Sequence, residues 1–134
     1  MIRVDIRADS RFPVDRFGLR QAVTELVARL GVKEAVVNVI IVGNRKMTSL
    51  NKKWMKREGT TDVLSFPMEE SSTVSGQGGG GFVMPGEAPL YLGDVVVSYP
   101  EAVKQAAERN LMVDTQVEEL VKHGVKHLLG IHHD

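Results

Sequence analysis

The chain carries four histidines, His123, His127, His132 and His133, and all of them fall in its closing stretch from Glu118 to Asp134, EELVKHGVKHLLGIHHD. An imidazole at neutral pH offers a nitrogen lone pair to a metal ion without first giving up a charge. His123 and His127 are four residues apart. On a helix that spacing places them one turn apart on one side, where two rings can chelate one ion. Gly130 follows where helices commonly end in a left-handed residue that turns the chain back. After such a turn His132 or His133 can return toward the first pair as a third ligand. Three neutral nitrogen ligands with a fourth position open describe a catalytic zinc site better than a closed structural one.

The whole pattern, from His123 through His127 and Gly130 to His133, reads H-G-x-x-H-x-x-G-x-x-H. This is the spacing of the metzincin zinc motif, with Gly124 where those proteases carry their general-base glutamate. The alternatives are a polar helix edge for the pair and a solvated tail for the terminal HHD. With no cysteine in the chain, a mixed cysteine-histidine structural zinc is excluded. Three histidines at metal spacing across a glycine turn favour the metal.

The element that must position them is a helix. Thr115 followed by Glu118 is a capping-box pattern, so the sequence predicts a helix from about Gln116 to Leu129. At about 100° per residue, Val117, Leu120, Val121, Gly124 and Leu128 form an apolar stripe. Glu119, Lys122 and Lys126 lie opposite, and the two histidines sit on the border. Gly124, inside the stripe, lets another element approach closely.

Upstream, Ile2 to Ile6 alternates apolar and charged residues, as a half-exposed strand does. A helix is predicted from about Asp15 to Leu30, stopped by Gly31. Glu34 to Val42 is nearly all apolar and reads as a strand buried on both faces. Asn44 then caps a second helix whose buried side is Met47, Leu50 and Trp54. Thr60 to Phe66 is strand-like and stops at Pro67. From Glu69 to Pro89 the Gly/Ser-rich EESSTVSGQGGGGFVMPGEAP loses all hydrophobic pattern and predicts a mobile loop. Its glycine run is a weak phosphate-loop candidate, because no Lys-Ser or Lys-Thr follows. Tyr91 to Ser98 resumes as a strand, antiparallel to the previous one if the two are neighbours. Ser98 caps a helix beginning near Pro100. The order β-α-β-α-β-β-α-α implies an α+β fold with a mixed four-stranded sheet and helices mainly on one face.

The second helix and the residues after it are the most basic part of the chain. Arg45, Lys46, Lys52, Lys53, Lys56 and Arg57 occur with no acidic residue until Glu58. Such a patch can follow a phosphate backbone, with Trp54 as a stacking platform. Composition alone favours a solvated helix face with the tryptophan in the core.

At 134 residues, with 43% apolar and 25% charged residues, the chain reads as one soluble domain able to bury a core. Its formal net charge is zero, so only a local patch can recruit nucleic acid. The N-terminus lacks the apolar run of a signal peptide, and no segment approaches membrane-spanning length. Absence of cysteine fits a reducing cytoplasm.

Three pieces taken together, TTDVLSFP at Thr60 to Pro67, LGDVVVS at Leu92 to Ser98 and HGVKHLLGIHH at His123 to His133, resemble the YbeY family of bacterial metal-dependent endoribonucleases. The resemblance covers most of the chain in order. It implies a zincin-like α+β fold and one zinc ion on the three motif histidines, here His123, His127 and His133. It implies cleavage of single-stranded RNA in ribosomal RNA maturation, especially at the small-subunit 3′ end, and in ribosome quality control. Implied partners are ribosomal RNA and the ribosome or its small-subunit assembly factors. The family often has aspartate before the last histidine, and here that residue is His132. Counting back from Thr61, the family's arginine falls on Met55, which leaves Arg57 as the nearby catalytic candidate.

On this reading the expected chemistry is metal-assisted phosphodiester hydrolysis, with His123 and His127 at its centre. Lys52, Lys53, Lys56 and Arg57 would neutralise RNA phosphates, and Ser65 and Ser98 are polar strand-end positions that can face the cleft. Two other functions share these features. One is a zinc-stabilised RNA-binding or ribosome-assembly factor with little catalysis. The other is a small zinc peptidase, against which the missing HExxH glutamate counts.

Overall fold

The structure, a computed structural model, describes residues 1–68 and 90–131. The loop expected at 69–89, together with His132, His133 and Asp134, lies outside the described residues.

The strands are β1 (Ile2–Ala8), β2 (Ala35–Val42), β3 (Val63–Pro67) and β4 (Leu90–Ser98). The helices among the described residues are α1 (Arg16–Arg29), α2 (Asn44–Met55), α3 (Tyr99–Arg109) and α4 (Val113–Leu128). The strands form one sheet in the order β1-β2-β4-β3. β1 and β4 each run parallel to β2, whereas β3 pairs antiparallel with β4. Parallel neighbours need a crossover. α1 supplies it between β1 and β2, and α2 with β3 lies between β2 and β4. The α+β mixed sheet and the antiparallel β3–β4 pair agree with the sequence reading.

Strand alternation divides the side chains between two faces. Val37, Val39, Ile41, Val95 and Val97 join the main core with residues of α1, α3 and α4. Each such buried side chain contributes about 1.5–3 kcal/mol. On the other face, Met47 of α2 packs with Leu64 and Val96, and Ile40, Val42, Leu50 and Phe66 border this smaller cluster. Helices therefore lie mainly on one face, as expected, with α2 across the sheet from the rest.

Several local expectations are corrected. β2 is not buried on both faces: buried and half-buried residues alternate along its whole length, because α2 shields only part of the second face. Asn44 does not cap α2. Gly43 occupies that position with no side-chain bond. Asn44 Oδ1 instead accepts from Ser98 Oγ at 2.6 Å and from Thr60 Oγ1 at 3.3 Å. The Thr115–Glu118 capping box is not used either. α4 begins at Val113 behind Met112, whose carbonyl accepts from the Gln116 N–H at 3.2 Å. The Ser98 cap forms as read, accepting from the Glu101 N–H at 3.3 Å, and Asp15, expected as the start of α1, caps it by accepting from the Gly18 N–H at 3.0 Å. No helix among the described residues is long and apolar enough to cross a membrane.

Candidate functional site

The histidine helix is fixed to the sheet before its histidines come into play. Val117, Val121 and Val125 are at most 1% exposed in the main core. Gly124 faces Val95 so closely that a Cβ there would lie 2.6 Å from Val95 Cγ1 and 3.4 Å from Val63 Cγ2. The expected close approach at this glycine is thus present, and β3 and β4 make it. At the N-terminal end, Arg109 Nη1 donates to Gln116 Oε1 at 2.6 Å, and Gln116 Nε2 to Gln105 Oε1 at 2.7 Å. Gln105 Nε2 continues the chain to Asp62 Oδ2 at 3.1 Å. Buried Gln116 is satisfied by this relay, which ties α4 through α3 to the start of β3.

On that support the rings of His123 and His127 stand with centroids 4.4 Å apart, tilted by 56°. His123 is exposed and His127 half-buried. α4 then closes in a Schellman turn. The Ile131 N–H donates to Lys126 O at 2.9 Å and the Gly130 N–H to His127 O at 3.0 Å, with Gly130 at φ 83°. The predicted reversal after the pair is therefore present at Gly130. His132 and His133, either of which the residues alone allow as third ligand, lie outside the described residues. With Zn–N bonds of about 2.0–2.1 Å, two imidazoles on one tetrahedral ion stand about 5 Å apart, centroid to centroid, slightly wider than this pair. Among the described residues no group of three His, Cys, Asp or Glu side chains is gathered to hold a metal ion.

Across the sheet, α2 carries the basic residues. Lys52 and Lys53 are exposed in its last turn, Lys56 ends it in the left-handed conformation at φ 57°, and Arg57 follows in the connection to β3. The structure thus groups the four cations at one end of α2 and places α2 and the histidine helix against opposite faces. Trp54 is not in the core, as composition suggested, but 57% exposed. It shares the helical stripe of Met47, yet it projects past the part of the sheet that α2 covers. There it meets Phe66 edge-on, with ring centroids 6.4 Å apart, and Lys53 Nζ stands 5.2 Å from its ring centre.

A groove of about 630 Å³ opens between α2 and the sheet, with Trp54, Phe66, Val96 and Ile40 among its walls and Lys46 and Asp94 as charged members. Asp94 was not singled out from the sequence. Its Oδ1 accepts from Asn38 Nδ2 at 3.0 Å and from the Tyr91 hydroxyl at 2.9 Å. Burial, and then the hydrogen bond to Asp94, pushes the Tyr91 phenol above its ordinary value. The signal was available: in LGDVVVS, period-two alternation sets Asp94 and Val96 opposite Val95 and Val97. Ser65 pairs with Val95 in the β3–β4 register, and its strand borders the groove. Ser98 does not face a cleft. It is fully buried, donating to Asn44 while capping α3.

The chain is similar in sequence and in fold to known proteins. The family model described as endoribonuclease YbeY matches residues 6–134. Endoribonuclease YbeY of Anaeromyxobacter sp. (strain Fw109-5) is 33% identical over 132 residues, 96% of this chain and 62% of that protein. The protein of the same description from Anaeromyxobacter dehalogenans is 33% identical over 116 residues, 87% of this chain and 53% of that one. The one from Thermus thermophilus is 37% identical over 117 residues, covering 86% and 74%. The chain spans less than two thirds of the length of both Anaeromyxobacter relatives. The solution structure of TM1509 from Thermotoga maritima superposes with a TM-score of 0.59 at 26% identity, covering 100% of this chain and 75% of that one. By the family match over nearly its whole length, this chain belongs to the YbeY endoribonuclease family.

Proposed function

We propose that the chain is a zinc-dependent endoribonuclease that cuts single-stranded RNA during ribosomal RNA maturation at the small-subunit 3′ end and in ribosome quality control. It would work in the cytoplasm beside the ribosome or its assembly factors. The observation that carries the reading is the pair His123 and His127, ring centroids 4.4 Å apart on a helix held against β3 and β4. The names of its relatives supply the substrate class.

In this proposal His123, His127 and His133 hold one zinc ion, with the Gly130 turn bringing the last of them back. When bound, the ion supplies Lewis acidity at the scissile phosphate. The chain's own residues do the rest. Gly124 offers no carboxylate where zinc proteases carry their base, so the attacking group, water or the RNA 2′-hydroxyl, must lose its proton to another side chain or to solvent. Lys52, Lys53, Lys56 and Arg57 neutralise backbone phosphates, and Arg57 is the candidate to meet the reacting one.

Metal analysis combined with an RNA-cleavage assay, with and without chelator, tests this. His123→Ala and His127→Ala should each lose zinc and cleave single-stranded RNA at least ~100-fold more slowly, the loss expected when a metal's Lewis acidity goes. His133→Ala should do the same while His132→Ala retains zinc. Cleavage indifferent to chelator would overturn the proposal. RNA binding that survives metal loss, with no cleavage at any protein concentration, would identify an assembly factor instead. Chelator-sensitive peptide hydrolysis would identify a peptidase.

A further inference from the structure

The basic end of α2 adjoins the apolar groove beneath the helix through Trp54, which lines the groove and lies under Lys53. Trp54 is the sole tryptophan of the chain and is 57% exposed, an uncommon cost for so large an apolar ring. Phe66 meets it edge-on at 6.4 Å and Lys53 lies over it at 5.2 Å. Lys46 and Asp94, a donor and an acceptor, stand in the same groove. We infer that this groove is a nucleobase subsite, in which one unpaired base of a single-stranded RNA stacks on Trp54 while the cations at the end of α2 hold the adjoining phosphates.

The inference rests on the RNA reading and adds a place and a contact to it. Charge decides the occupant. Arg45, Lys46, Lys52, Lys53, Lys56 and Arg57 belong to α2 or follow directly on it, and Glu58 is the first acid after them. An apolar protein segment would leave these cations unmatched. A polyanion with aromatic bases satisfies both the rim and the wall, because every base has a π face and every nucleotide a phosphate. A duplex hides its base faces in its own stack and cannot use the aromatic wall. The subsite also has a route to the histidines. Phe66 belongs to β3, and Val63 of that same strand lies beside Gly124 of the histidine helix. β3 is an edge strand, so a bound strand can round it from one face to the other.

The single tryptophan makes the test direct. The zinc-loaded protein would be titrated with fluorescein-labelled 2′-O-methyl decauridylate, which resists cleavage, following probe anisotropy and Trp54 emission together. Both signals should saturate on one curve with the emission quenched. Trp54→Ala should bind roughly 5- to 100-fold more weakly, as loss of one base–aromatic stack predicts. Trp54→Phe should lose less, and Phe66→Leu, which keeps an apolar side chain, should also weaken binding. Wild-type affinity in Trp54→Ala, or Trp54 emission that stays unquenched as the wild-type protein saturates, would overturn the subsite and leave the RNA reading standing. Equal quenching by inorganic polyphosphate or by a duplex of the same length would show that charge alone acts there, and would also overturn it. Absence of binding in both signals, together with absence of RNA cleavage by the zinc-loaded protein, would remove the subsite and the RNA reading at once.

Discussion

Gly124 of α4 rides on Val95 of β4, so close that a methyl group added at residue 124 would lie 2.6 Å from one Val95 methyl and 3.1 Å from the other. Neither partner can step aside cheaply. Val95 is wholly buried and stiff at its first torsion, and α4 is packed along both β3 and β4. Gly124→Ala would gain about 1 kcal/mol of helix propensity but would force the helix off the sheet beside the histidine pair. We expect a net loss of about 1–3 kcal/mol, as for other overpacked cores. Urea unfolding measures the loss, and zinc titration should show weaker binding. Unchanged values in both would mean that α4 is not held by this contact.

Ser98 closes β4 and opens α3 with one hydroxyl. It donates to Asn44 Oδ1 at 2.6 Å and accepts from the Glu101 N–H at 3.3 Å in a fully buried position. Ser98→Ala removes a cap and leaves Asn44 short of a donor, so about 1–3 kcal/mol of stability should go. Thermal unfolding reads this. RNA cleavage measured well below the transition should stay near wild type, because the serine is structural.

Lys56 ends α2 at φ 57°, where a side chain costs roughly 1 kcal/mol that glycine avoids. Lys56→Gly should therefore raise the unfolding free energy by up to about 1 kcal/mol while weakening RNA binding. If Lys56 meets one phosphate, the slope of log affinity against log salt should fall by about 0.7. A stability gain with an unchanged salt slope would take Lys56 out of the RNA surface.

Burial pushes the Glu118 carboxyl above its ordinary value, Lys122 opposes the shift, and Asp15, Asp114 and Glu119 add to it. A raised folded-state value means that the native protein holds this proton more tightly than the unfolded chain. Between the unfolded and the folded value, stability therefore falls as pH rises, and above the folded value the penalty is complete. Glu118→Gln removes the titration, so it should stabilise the protein at about pH 7 and have much less effect at about pH 3. Unfolding midpoints at the two pH values give the comparison, and equal shifts at both would sink the argument.

The amino-acid order by itself determined much of this protein. Alternating and helical periodicities located every strand and helix of the described residues to within a few positions, because burying one face imposes a repeat that composition cannot hide. Ser98 and Gly130 were legible as a cap and a turn, since each answers a backbone requirement met within a few residues. The spacing of His123 and His127 was legible for the same reason, as one turn of helix lies between them.

What the sequence could not decide were contacts made across the chain. Thr115 and Glu118 have the pattern of a capping box, yet α4 starts behind Met112. Asn44 has the chemistry of a cap but accepts from Ser98, fifty-four residues away in sequence. Trp54 lies on the stripe of buried Met47 and is nevertheless exposed. A helical repeat states which way a side chain points, but not how far the surface beneath it extends. Only the packed sheet, ending short of Trp54 and bringing Phe66 and Asp94 alongside, turned an apparent core residue into the wall of a groove.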